Sequence, residues 1–192
     1  MITNLKRKIV GFAICLIEKR AGSLKYQRFF QRLYQLSLQG MNFGNDVLTT
    51  NGEVNVLHYI ATQADGSPCI FDVGANIGDY TLNLINAFGN SAELHSFEPS
   101  PTTFDRLCQN LTTHPYVNLH NLGLSNEADT ITLYKVGGEE KDLSGLSSVF
   151  RRNLDHINVS MDIQEEIKVE RLDSFCKTHN IQHIHFLKLD VE

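Results

Sequence analysis

From residue 69 onward, short apolar runs alternate with stretches of helical periodicity. Residues 69–73, Cys-Ile-Phe-Asp-Val, have the length and composition of a buried strand. A periodic stretch over 78–88 predicts a helix, stopped at Phe88-Gly89-Asn90. A second strand is predicted over 92–97. Ser100 as cap and Pro101 at the first helical position predict a helix over 101–112. A third strand follows over 116–122. Residues 129–136 alternate and predict an extra strand, with 166–171 as its partner. The Gly/Ser-rich, charged segment 137–162 lies between them as an insertion. Residues 172–180 predict a short helix and 184–191 a buried strand. Upstream, 4–38 predict one or two helices, interrupted at Ala21-Gly22-Ser23. A Gly/Asn-rich connector over 41–52 leads to a short helix over 53–64, which ends in the turn Asp65-Gly66-Ser67-Pro68.

Strand–helix alternation of this kind predicts an α/β fold with a doubly wound, mostly parallel sheet and right-handed crossovers. Ligands of such sheets bind at the carboxyl ends of the strands, where strand order reverses. Asp72, Glu98, Ser125 and Asp190 all fall at predicted ends.

The first strand runs into Asp72-Val73-Gly74-Ala75-Asn76-Ile77-Gly78. Glycines 74 and 78 predict a loop that passes close to a ligand, where a Cβ would clash. Glu98 lies twenty residues after Gly78, the spacing at which a carboxylate after the second strand takes a ribose diol. A dinucleotide fingerprint would place a third glycine here and a pyrophosphate at the helix start. A carboxylate at Asp72 suits a cationic amino group better, so the loop favours S-adenosylmethionine over NAD. Asp72 would face the methionine ammonium and Glu98 the ribose hydroxyls. Gly74, Asn76 and Gly78 would line the methionine and ribose, with Leu124 and Ser125 against the adenine.

The chain resembles the FkbM-type S-adenosylmethionine-dependent methyltransferases. Six blocks in order carry the resemblance: Met41-Asn42-Phe43-Gly44 with Gly52-Glu53; Phe71 to Gly78; Phe97-Glu98-Pro99; Leu122-Gly123-Leu124-Ser125; Val169 to Phe175; and Phe186 to Glu192. The resemblance implies a class I, Rossmann-like methyltransferase fold and methyl transfer to an oxygen of a sugar, lipid or secondary metabolite. It also implies further helices and strands after Glu192, so the expected domain is incomplete at its C-terminus. The expected organisation is a basic, partly apolar N-terminal segment and connector over 1–50 and the cofactor-binding domain over 51–192. Two other classes remain open. One is a catalytically inactive cofactor-binding remnant acting as a binding or membrane-surface module. The other is an NAD-dependent oxidoreductase.

Composition adds a location. The 192 residues carry 42% hydrophobic and 20% charged side chains, ordinary for a globular protein. Four scattered cysteines without a C-x-x-C argue against a disulfide framework or a zinc site, and fit a reducing cytoplasm. Residues 1–32 hold eight basic side chains and one acid, a net +7, against −12 for the remainder. The apolar run 9–17 is too short to span a bilayer, which takes about 20 residues. Residues 1–32 therefore predict either peripheral contact with an anionic membrane or a docking helix that makes a homo-oligomer. No basic patch with interleaved aromatics marks nucleic acid.

Lys188, Asp190 and Glu192 alternate and project from one face of the last strand. Asp190 is the candidate general base for an acceptor hydroxyl, with Lys188 as its ion partner beside the substrate; the competing reading is a purely structural pair. Glu53 is placed near the cofactor mouth, or is simply a favourable helix-start carboxylate. Ser147-Ser148 is a further candidate for the acceptor side. His179, His183 and His185 read as a metal site or base, or as ordinary strand-entry histidines; no metal ligand set is assigned.

Overall fold

The computed structural model describes residues 11, 14, 15, 17–43, 52–136, 144–154 and 159–191. Lys6, Arg7, Lys8, most of the apolar run 9–17, the connector Gly44 and Glu192 lie outside the described residues. Two compact units divide between Asn51 and Gly52.

In the first unit a turn at Lys19–Gly22 precedes helix α1 (Leu24–Gly40). Gly22 adopts φ 74°, which fixes the interruption at the predicted place. Helix α1 buries none of its residues, and Leu24, Phe29, Leu33 and Leu36 are exposed beside Lys25, Arg28 and Arg32.

The second unit begins with α2 (Glu53–Gln63). Then come β1 (Cys69–Val73), α3 (Asp79–Phe88), β2 (Glu93–Phe97), α4 (Pro101–Asn110), β3 (Asn118–His120) and β4 (Gly123–Ser125). The chain continues with β5 (Asp129–Lys135), β6 (Ile163–Arg171), α5 (Leu172–Thr178) and β7 (Phe186–Leu189). Four strands form a parallel sheet in the order β3-β2-β1-β7. The other three form a second sheet, β4-β6-β5, with β4 parallel and β5 antiparallel to β6.

Strand alternation divides the core. Ile70 and Leu94 face a cluster with Leu57 of α2, Leu84 and Phe88 of α3 and Leu107 of α4. Cys69, Phe71, Val73 and Phe97 face the opposite side, beneath Phe175 of α5. Phe71 and Phe97 lie 5.1 Å apart, and Phe175 stands edge-on to both. Ser100 caps α4 by accepting from Thr103 N, with Pro101 in the first turn as predicted.

The third predicted strand needs correction. Within 116–122 only β3 (Asn118–His120) is strand, and Gly123–Ser125, just past the predicted end, form β4 in the other sheet. Asn121 causes the break. Its Nδ2 donates to the carbonyls of Glu98 (2.9 Å) and Pro99 (3.0 Å), which turns the chain out of the parallel sheet. Gly123 then passes so close to Val169 and Pro99 that a Cβ would sit 3.0 and 3.3 Å from them. Leu124 and Ser125 therefore belong to the second sheet, not to a carboxyl end of the first. The last strand is also shorter than predicted, so His183 and His185 precede it and share no strand face.

Candidate active site

Strand order reverses between β2 and β7 on either side of β1, and a cleft opens there at the carboxyl ends. Its volume is about 340 Å³, within the range of small-molecule sites. Val73, Gly74, Asn76, Glu98 and Asp190 line it from the parallel sheet. Leu124 and Ser125 of β4, with Ile131, Leu133, Ile167 and Val169, line it from the second sheet. Ser147 also reaches it, whereas Ser148 is buried and pairs through its backbone with Tyr134.

The glycine loop is held by β2. The amides of Gly74 and Ala75 both donate to Phe97 O, at 3.0 and 2.9 Å. Gly74 has φ 78°, and a Cβ on it would lie 2.0 Å from Asp190 O. Gly78, at φ 99°, would meet Leu107 Cδ1 at 2.8 Å. Both glycines are required, but the close neighbour is the protein itself and not a ligand. Gly78 caps α3 and does not line the cleft.

Glu98 is 7% exposed. Its Oε2 accepts from Asn76 N and its Oε1 from Ser100 N, each at 3.0 Å. Burial raises its pKa; the two amides and Lys135 oppose that shift. Each carboxylate oxygen has a further lone pair, so acceptor capacity remains toward the cleft. Asn76 sits in the left-handed region (φ 50°), which asparagine tolerates, and its buried Oδ1 has no partner. An unpartnered buried amide oxygen lining a cleft is a position for a ligand donor.

Asp72 is not where a ligand-facing carboxylate was expected. It is 1% exposed and does not line the cleft. Val73, not Asp72, is the last residue of β1, and alternation turns Asp72 toward α3. Thr81 Oγ1 donates to its Oδ2 at 2.7 Å, and Lys188 Nζ lies 3.3 Å from Oδ1. Burial raises the Asp72 pKa, with Lys188 and Thr81 opposing.

Lys188 is the hub of this inner network. Its Nζ donates to Gly74 O at 3.1 Å, lies 3.5 Å from Asp190 Oδ2 and stands 5.1 Å above the Tyr80 ring. It pairs with Asp190 and is not among the residues that line the cleft. Asp190 itself is open: its side chain is 75% exposed, while its N–H is anchored on Val73 O at 3.0 Å. Glu53 is exposed at the start of α2 and is not among the cleft residues. Its charge acts on Tyr80, whose hydroxyl burial, Glu53 and Asp72 push up to about 12.

The predicted histidine trio does not converge. His185 Nδ1 accepts the Cys69 amide at 2.9 Å, and His179 stacks on Phe175 at 4.0 Å. Sequence reasoning missed a cluster behind Glu98. Lys135 pairs with Glu165 at 3.1 Å, and Ser100 Oγ donates to Glu165 at 2.6 Å. These residues lie 30 to 65 positions apart, and only the pairing of β5 with β6 over α4 brings them together.

Residues 72–192 match the family described as "Methyltransferase FkbM domain". The chain belongs to the FkbM methyltransferase family. It is 28% identical over 142 residues to the hexuronic acid methyltransferase AglP of Haloferax volcanii, covering 73% of this chain and 52% of that protein. It is 25% identical over 130 residues to the 2-O-methyltransferase NoeI of Sinorhizobium fredii, covering 65% of this chain and 53% of that protein. The chain thus spans about half the length of the curated relatives it matches. Among the described residues no helix is long and apolar enough to cross a membrane.

Proposed function

We propose that this FkbM-family protein transfers a methyl group from S-adenosylmethionine to an oxygen of a carbohydrate-type acceptor. One observation carries the reading: a buried carboxylate, Glu98, and an unpartnered buried amide oxygen, Asn76 Oδ1, open onto one cleft at the strand-order reversal. The donor set fits the cofactor. Glu98 retains lone pairs for a ribose diol, Asn76 offers an acceptor to an ammonium, and the apolar residues of β4–β6 offer a surface to a purine. The names of the two relatives, a hexuronic acid methyltransferase and a 2-O-methyltransferase, support the acceptor class.

When bound, S-adenosylmethionine supplies a methyl group on a sulfonium that leaves as a neutral thioether. The chain's own contribution is alignment and exclusion of water. Asp190, at the open rim, accepts the hydrogen bond of the acceptor hydroxyl and takes its proton as the oxygen attacks. Lys188 holds the Asp190 carboxylate from behind, and Asp72 anchors Lys188. Glu53, exposed on α2, is left without a substrate role.

Calorimetric titration of the chain with S-adenosylhomocysteine tests the cofactor, and a radiolabelled methyl-transfer assay on hexuronic acids and other sugars tests the acceptor. Binding is expected, weakened at least about tenfold by Glu98→Gln. Asp190→Asn is expected to lower kcat and leave that binding unchanged. A folded chain that binds NAD and not S-adenosylhomocysteine would refute the cofactor; binding without methyl transfer to any sugar oxygen would refute the acceptor class.

A further inference from the structure

At the opposite, amino end of the parallel sheet, the register sets Cys69 of β1 beside Glu93 of β2. Cys69 is followed two residues later by Phe71, which pairs with His95. Alternation turns Cys69, Glu93 and His95 to the same face, and one ligand atom from each lies within 4.8 Å of the others. His95 Nε2 is 3.1 Å from Glu93 Oε1. Cys69 and His95 are buried, while the Glu93 side chain is 53% exposed and opens the group to solvent.

We propose that Cys69 Sγ, Glu93 Oε1 and His95 Nε2 form a binding site for a zinc-class divalent cation at the amino end of the sheet. Thiolate, imidazole and carboxylate together suit a borderline-soft ion, and three protein ligands leave a fourth tetrahedral position for water on the Glu93 side. Zinc-to-ligand bonds of about 2.0–2.3 Å place the ligand atoms of a tetrahedral site roughly 3.3–3.6 Å apart, so atoms that lie within 4.8 Å of one another need to shift by about 1.5 Å at most. All three ligands ride on two neighbouring parallel strands, Cys69 on β1 and Glu93 and His95 on β2, which makes their spacing rigid.

The surroundings orient the ligands. His95 Nδ1 lies 3.0 Å from His120 Nε2, and the two rings are nearly parallel, at 8°. A histidine ligand whose second nitrogen is bonded in this way has its tautomer and ring plane fixed. With Nδ1 as the donor, Nε2 turns its lone pair toward the Glu93 oxygen, and a cation between the two satisfies both. The Cys69 backbone is clamped on both sides by His185, which accepts its N–H at 2.9 Å and donates its own N–H to Cys69 O at 2.8 Å. Four strand steps separate Cys69 from Val73 in the cleft, roughly 13 Å. The cation therefore takes no part in methyl transfer; it ties the start of β1 to the start of β2.

Titration of the full chain with Co²⁺, read by the thiolate-to-metal charge-transfer absorption and then competed with Zn²⁺, tests the site. One equivalent is expected, with the absorption abolished by Cys69→Ser, weakened about tenfold or more in affinity by Glu93→Gln, and retained in Cys15→Ser and Cys108→Ser. Zn²⁺ is expected to raise the melting temperature of the parent chain and not of Cys69→Ser. Absence of the absorption, or its survival at full affinity in Glu93→Gln, overturns the proposal. Glu93 is exposed, so that variant decides the matter even where Cys69→Ser does not fold.

Discussion

Gly74 offers a quantitative test of how the cleft is built. Replacing it with alanine adds one methyl group in a loop with φ 78°, and that methyl lies 2.0 Å from Asp190 O. Two separate costs arise. The left-handed backbone disfavours any Cβ by about 1–2 kcal/mol. The contact must also open by at least about 1 Å to reach 3.0 Å, the closest approach real Cβ atoms show, and the opposing atom is backbone and cannot rotate away. Overpacking of that kind costs about 1–3 kcal/mol. Gly66 separates the two, because its φ is 74° and nothing lies within 4 Å of its Cβ position. Gly66→Ala should therefore lose about 1–2 kcal/mol, and Gly74→Ala about 2–5 kcal/mol. For a chain of this length each kcal/mol moves Tm by about 2–4 °C, so the second variant should melt roughly 4–20 °C below the parent. Thermal unfolding by circular dichroism measures both, and titration with S-adenosylhomocysteine should show weaker binding for Gly74→Ala only. Equal melting temperatures for the two variants would refute the packing of Gly74 against the end of β7.

Two further variants probe the ion pairs. Lys188→Met strips Asp72 of its cation and should cost about 3–5 kcal/mol, largely restored by adding Asp72→Asn; urea unfolding of the double-mutant cycle measures this. Burial already holds the Asp72 pKa above its usual value, so the protonated form is the one folding prefers, and the deficit of Lys188→Met should shrink as pH is lowered from 7. Glu165 behaves in the opposite sense. Burial pushes its pKa up, but hydrogen bonds from Ser100, Thr102 and Lys135 outweigh this and hold it below the ordinary value of 4.5. Its stabilisation is present above pH 4.5 and is lost as pH falls through the lowered value, so Glu165→Gln should flatten the loss of Tm in acid seen by calorimetry.

The elements of the parallel sheet were legible because each carries its own signal. Continuous apolar runs mark β1 and β2, and Ser100-Pro101 marks the start of α4. The Glu98 end of β2 was legible for the same reason: an acid that closes an apolar run at a fixed distance from a glycine loop. The strand 123–125 was missed because a short apolar run says nothing about which sheet it joins; the decision is made by Asn121 bonding back to Glu98 and Pro99. Asp72 was misjudged by one position. A carboxylate one residue before the strand end points to the other face, into a pocket that Lys188, 116 residues later, makes habitable. The Cys69, Glu93 and His95 group follows from parallel register alone, and no spacing motif announces it.

The position of β7 bears on the order in which the protein folds. Strands β1, β2 and β3 are linked by single helical crossovers, whereas β7 pairs with β1 across more than a hundred residues. Closing so long a loop is slow, and the intervening second sheet has to be traversed first. The three-strand portion should therefore assemble early and β7 dock late. Because Asp190 rides just beyond β7, and its backbone fills the space over Gly74, the cleft comes into being only in that last step. A ligand seated there would act chiefly on the departure of β7, slowing amide exchange along Phe186–Leu189 while leaving exchange in β2 and β3 nearly unchanged.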